Sequence, residues 1–316
     1  MRISTSTIIL LIILTGLSVN LSAQDIQGRR NIIDATNVKK LNQLEQKFRE
    51  QALDNKKKAL SLAKEKGWTV RKEFKDGRVM ELQGLTKNNK PLYYITYNSN
   101  AAATVSTNEV WDGGSAGLDL DGTGMKAGVW DGGAVLTTHQ EFNNTGTPRV
   151  VQQDNPSSTS DHATHVTGTV GAGGVDGGAK GMAYNTIIDA YDWDSDLSEM
   201  ASAAGNGLLI SNHSYGYLTG WEWDGSQWVW YGDESISDVE DYNFGFYDNY
   251  CVDHDNLALS APYYLIVKAA GNDRGDGPGS SPSTAEKDGG SDGYDCIGHV
   301  GISKNILTVG AARDLA

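Results

Sequence analysis

The chain has 316 residues, 26 Lys and Arg against 40 Asp and Glu for a net charge of −14, and only 2 Cys. This excludes a long transmembrane bundle, a disulfide-stapled miniprotein and a wholly disordered chain, and the acidic balance argues against nucleic acid, whose phosphates a negative surface repels. Residues 24–110 carry 17 basic and 10 acidic side chains and residues 111–316 carry 8 and 30, so two oppositely charged pieces that attract each other are expected on one chain.

Arg2, the apolar run from Ile8 to Leu14 and the small pair Ser22-Ala23 predict a cleavable secretory signal over 1–23, cut after Ala23, and hence an exported protein. From Asn37 to Lys66 there is neither Gly nor Pro, and Leu41, Leu44, Phe48 and Ala52 recur at helical spacing. An amphipathic helix ended by Gly67 follows. Three strand-like runs come next, Trp68 to Phe74, Val79 to Leu85 and Leu92 to Tyr97, separated by turn residues at Asp76-Gly77 and Asn88 to Pro91. Residues 24–110 are therefore expected to form a small α+β unit that ends in a small, uncharged linker at 98–106. Beyond Trp111, expected strands at Lys126 to Trp130, Thr186 to Ala190, Leu208 to Ser211, Tyr264 to Ala269 and Ile306 to Val309 alternate with expected helices at His162 to Gly171, Asp196 to Ala204 and Asn256 to Ala261. Such alternation predicts an α/β fold with a mostly parallel sheet.

Functional groups in such sheets gather at the carboxyl ends of strands. Asp131 directly follows one expected strand and precedes Gly132-Gly133, while His162 opens a stretch of small residues. A carboxylate and an imidazole at two element ends supply two members of a nucleophilic triad, in which the imidazole takes a proton and the carboxylate fixes its tautomer.

The blocks Gly122 to Gly133, His139 to Phe142 and His162 to Thr169 resemble the Asp and His regions of the subtilases, the subtilisin-like serine peptidases. Ser214-Tyr215-Gly216 is similar to their substrate-binding strand, Ala269-Ala270-Gly271-Asn272 to the segment with the oxyanion Asn, and Ile306 to Ala311 to a later core strand. The resemblance covers nearly all of 118–316 in the family's order. It implies a three-layer subtilisin-like fold, with residues 111–316 as a partial peptidase domain and the basic unit as an inhibitory propeptide. It makes Asp131 the orienting carboxylate, His162 the general base, Asn272 the oxyanion donor, and Ser214, Tyr215 and Gly216 the main chain that pairs with substrate. Implied partners are protein or peptide substrates and the chain's own propeptide, with no nucleic acid and no membrane in the mature form. No cofactor is required for catalysis, and structural calcium on so acidic a domain has no location in the sequence.

Three departures stand out. Gly132 replaces a usual hydroxyl residue after the Asp, Ala163 replaces a usual Gly after the His, and no Gly-Thr-Ser-Met-Ala-like segment with the nucleophile occurs in the 316 residues. The expectation is a fragment of a longer serine endopeptidase, itself inactive. The alternative is a noncatalytic secreted scaffold.

Other patterns have blander readings. Gly-x-Ser-x-Gly at 113–117 and 289–293 lacks the strand and helix of a nucleophile elbow. His162 and His165 are spaced like metal ligands but lack a third, and Asp192, Asp194 and Asp196 imitate a calcium loop without its Gly. Asp196 with Glu199 reads instead as a helix capping box. Four Trp between 221 and 230 alternate about Asp224-Gly225, which predicts a hairpin whose indoles pack across the strands or form a gripping rim. Cys251 and Cys296, the only thiols of an exported chain, are expected as a disulfide worth roughly 4 kcal/mol in the chain-entropy model, with two free thiols as the alternative.

Overall fold

A computed structural model describes residues 26–73, 79–86, 88–96, 106–143, 146–278 and 296–311. The expected signal lies outside these residues, as do most of the expected linker, Asp76-Gly77 and the Gly-x-Ser-x-Gly copy at 289–293. Among the described residues, no helix is long and apolar enough to cross a membrane.

Helix α1 (Ile26–Ala35) precedes the long helix α2 (Val38–Lys66). Asn37 caps α2 by accepting from the Lys40 amide, and Gly67 closes it at φ 74°, a left-handed conformation that a side chain disfavours. Strands β1 (Arg71–Glu73), β2 (Val79–Leu85) and β3 (Pro91–Thr96) follow as an antiparallel meander. The acidic part contributes β4 (Lys126–Asp131), β5 (Val150–Gln152), α3 (Asp161–Gly171), β6 (Ile187–Asp192), α4 (Asp196–Gly205), β7 (Ile210–His213) and β8 (Tyr215–Tyr217). It continues with β9 (Trp221–Trp223), β10 (Trp228–Trp230), α5 (Asn249–Ser260), β11 (Leu265–Ala269) and β12 (Leu307–Val309).

The six-stranded sheet has the order β12-β11-β7-β4-β6-β5, and every pair in it is parallel. The α/β class expected from the sequence is thus the observed one. Ala163 and Val166 of α3 pack on Val129, Ile188 and Ala190 in one apolar cluster. A larger cluster joins Leu41, Leu44 and Phe48 of α2 to Met200, Ala201 and Ala204 of α4 and Leu257 of α5. The sheet is thus sandwiched, and α2 lies against its α4/α5 layer. A third cluster sets Ala59 and Ala63 of α2 beneath Met80, Leu82 and Tyr93.

A second sheet has the order β1-β2-β3-β8. Its last strand belongs to the acidic part, so the basic meander continues across the charge boundary. Ion pairs reinforce this junction, Lys47 to Asp253 at 2.9 Å and Lys56 to Asp194 at 3.1 Å. The Trp hairpin forms as β9 and β10, with Trp221 opposite Trp230 and Trp223 opposite Trp228. Ring centroids are 5.1 and 5.7 Å apart.

Three expectations need correction. α5 starts at Asn249, seven residues ahead of the expected Asn256, because Asp248 accepts from the amides of Tyr250 and Cys251 and nucleates it earlier. The capping box is not formed: Ser195 precedes α4 without a side-chain cap, Asp196 accepts from the Tyr215 hydroxyl at 2.7 Å, and Glu199 accepts from the Trp130 indole at 3.0 Å. Tertiary donors outcompete the local ones. The Cys251–Cys296 disulfide is not formed either; both thiols are buried, and Cys251 Sγ accepts from the Val300 amide at 3.2 Å.

Candidate active site

Strand β4 buries Val129 and Trp130 and ends at Asp131, where the chain must turn out of the sheet. Gly133 makes that turn at φ 124°, and the Gly132 amide donates to Asp131 Oδ1 at 2.7 Å. A Cβ on Gly132 would meet the ring of Trp193 at 2.8 Å. Glycine in place of a hydroxyl residue therefore makes room for an indole.

Helix α3 begins after Ser160, whose Oγ accepts from the Ala163 amide, and this cap sets His162 in the first turn. His162 Nδ1 lies 2.8 Å from Asp131 Oδ1 and 3.0 Å from Oδ2. An ionised carboxylate only accepts, so Nδ1–H donates and the ring's basic lone pair falls on Nε2. The Asp131 and His162 side chains are 1% and 8% exposed, which shields their contact from solvent competition. Ala163 is fully buried, its methyl filling space in the α3 cluster. His165 is exposed, and among the described residues no group of three or more metal-ligating side chains occurs.

Ser214 joins β7 to β8 and accepts from Asn212 Nδ2 at 2.9 Å. The Tyr215 ring is buried, leaving the main chain of Tyr215 and Gly216 to pair in β8. Asn272 is exposed, just beyond β11 and after Gly271 at φ 109°. Because β4, β7 and β11 run parallel, Asp131, Ser214 and Asn272 all emerge at one edge of the sheet. The structure thus joins Asp131 directly to His162 and brings the other candidate site residues to the same edge.

Charged groups surround the loop after Asp131. Asp192 is in register with Asp131, and its pKa is pushed up to about 7 by burial first and then by Asp194. Glu199 rises to about 8, again through burial and then the neighbouring Asp154. Burial would also raise Glu81, but Lys56 and Arg71, each 2.7 Å away, together hold it below the usual carboxylate range. Arg71 further donates to the Gly132 carbonyl at 3.3 Å, and the Trp193 indole to Glu81 at 3.3 Å. Arg71, Glu81 and Trp193 were not marked by any motif in the sequence.

The decoy motifs go elsewhere. Ser115 donates to Glu109 at 2.6 Å on an exposed loop. Asp192, Asp194 and Asp196 turn to different partners: an amide, Lys56 and Tyr215.

The model of the subtilase family matches residues 83–315. Among solved structures, the chain is similar to the patellamide maturation protease PatA, with 18% identity over 48% of this chain and 49% of that one and a TM-score of 0.32. It is also similar to the Clostridium perfringens CspB protease, with 18% identity over 55% and 40% and a TM-score of 0.33. The MycP3 protease of the type VII (ESX-3) secretion system shows 17% identity over 67% and 59%, with a TM-score of 0.35. The match therefore spans between 40% and 59% of the length of these proteins. No curated protein matches the sequence.

Proposed function

This chain belongs to the subtilase family, and on that premise we propose that it is part of a secreted serine endopeptidase. The observation that carries this reading is the buried contact of Asp131 with His162 Nδ1 at 2.8 Å. It supports His162 as general base through Nε2, with Asp131 holding the tautomer and stabilising the imidazolium that forms when a serine is deprotonated. This mechanism requires a serine nucleophile, and the 316 residues contain no Gly-Thr-Ser-Met-Ala-like segment that would carry it. Asn272, at the same sheet edge, donates to the oxyanion, a role worth about 2.7–4 kcal/mol in the transition state. Residues 1–23 direct export.

The pairing of β3 with β8 supports the N-terminal unit as an inhibitory propeptide. Tyr94 lies opposite Tyr217, Ile95 opposite Gly216 and Thr96 opposite Tyr215, antiparallel. An extended guest adds to a sheet edge in this way, and the chain's own strand occupies the one that the resemblance gives to substrate.

The test is the complete gene product with Asp131→Asn. A loss of about 10⁴ in kcat on a peptide substrate is expected, as for the wrong histidine tautomer. Unchanged hydrolysis would remove Asp131 from the triad, and no hydrolysis by the parent would return the noncatalytic scaffold.

A further inference from the structure

A cavity of about 730 Å³ lies away from Asp131 and His162, between α2, β2 and β3 on one side and the starts of α4 and α5 on the other. Phe48, Tyr94, Tyr217, Phe246 and Tyr250 give it aromatic walls, and His299 stands among them. His299 is 6% exposed, yet neither ring nitrogen has a hydrogen-bond partner among the described residues. Its ring meets Tyr217 edge to face at 4.3 Å and lies parallel to Tyr250 at 5.9 Å.

Leaving a buried polar group unsatisfied is costly, so an unpartnered imidazole on a cavity wall points to a guest that satisfies it. Burial first, then the nearby Lys268 and His254, hold the ring neutral down to about pH 4 against the pull of Asp248. A neutral imidazole presents a lone pair. Asp248 Oδ2 lies 3.9 Å from Nδ1, while Oδ1 of the same carboxylate caps α5. Two acceptors at this separation are bridged by one group that carries several N–H donors. The remaining charge selects its sign: among the described residues Asp194, Asp196 and Asp253 also line the cavity, against one basic side chain, Lys56. Aromatic faces attract a cation within about 6 Å, and more strongly when water is excluded. One imidazole and one carboxylate are too few ligands for a structural metal.

We propose that this cavity binds a primary alkylammonium group, the chemistry of a lysine side chain or a small free amine, with the nitrogen between His299 and Asp248 and the hydrocarbon stem against Tyr217 and Tyr250. Because Phe48 and Tyr94 belong to the N-terminal unit, such a guest would be held by both parts of the chain.

The experiment is calorimetric titration and thermal unfolding of the 316-residue chain with n-butylammonium, Nα-acetyl-lysine methylamide, n-butanol and butyrate. Saturable binding and a raised Tm are expected for the two ammonium compounds and for neither of the others. Tighter binding of the lysine derivative assigns a peptide lysine as the guest; tighter binding of butylammonium assigns a free amine. His299→Leu should weaken ammonium binding at least tenfold while leaving the Tm of the empty protein unchanged or higher, since an apolar replacement removes the unsatisfied group. Asp248→Asn, which keeps a good cap on α5, should weaken binding by a similar factor. Absence of binding, equal binding of butanol, or ammonium binding unaffected in both variants overturns the proposal.

Discussion

Gly132 lies under the indole of Trp193, and a Cβ there would come within 2.8 Å of the ring. Gly132→Ser, the residue type usual in the family, should therefore destabilise by about 1–3 kcal/mol, the cost of overpacking. Trp193→Leu in the same chain should recover part of it. Urea midpoints of the single and double variants measure both, and additive losses would mean that the indole is not the obstacle. Glu199 makes a second residue-scale prediction. Its pKa of about 8 means that the folded state keeps a proton that the unfolded chain has released above an ordinary carboxylate value. Stability from this group is full below that ordinary value and is lost as pH rises toward 8. Glu199→Gln, which keeps an acceptor for the Trp130 indole, should show a smaller fall in Tm than the parent between pH 5 and 8, with Asp192 leaving a residual slope in both up to about 7.

At the scale of elements, the Trp hairpin stands directly after β8, with Trp223 42% exposed. Replacing Trp223 and Trp228 by Ala should raise KM in the complete enzyme with kcat little changed, the signature of lost ground-state binding. An unchanged KM would leave the hairpin a packing device. Periodicity and turn residues made most elements legible: Asn37, Gly67 and the apolar positions of α2 are local signals that survive folding. The exceptions have separate causes. Asp196 takes a partner remote from the pattern around it, Asp248 starts its helix with a local cap that lies outside the apolar periodicity, and the spacing of Cys251 and Cys296 holds no information about whether their side chains converge. In the candidate site, Asp131 and His162 were readable because glycines after a strand and small residues along a helix are local requirements. Trp193, Arg71 and Glu81 were not, since each acts through a contact between distant segments.

On the scale of the molecule, the charge division and the apolar junction act together. Leu41, Leu44 and Phe48 bury against α4 and α5, while Lys47 and Lys56 pair with Asp253 and Asp194 at the rim. Residues 24–110 added to the mature enzyme should inhibit it, and raised salt should weaken inhibition only modestly, because partly exposed pairs are screened while the buried face is not. Tyr94→Ala should weaken it about a hundredfold, as expected for removing an aromatic ring packed on Trp193, Tyr215 and Tyr217, at about 3 kcal/mol. No inhibition by the parent segment would defeat the propeptide reading. The place of β8 at the end of its sheet has a further consequence for timing. One row of amides along that edge cannot serve two strands at once, so β3 and an incoming chain exclude each other. Onset of turnover would then follow a lag whose length is the residence time of β3, insensitive to how much substrate is supplied.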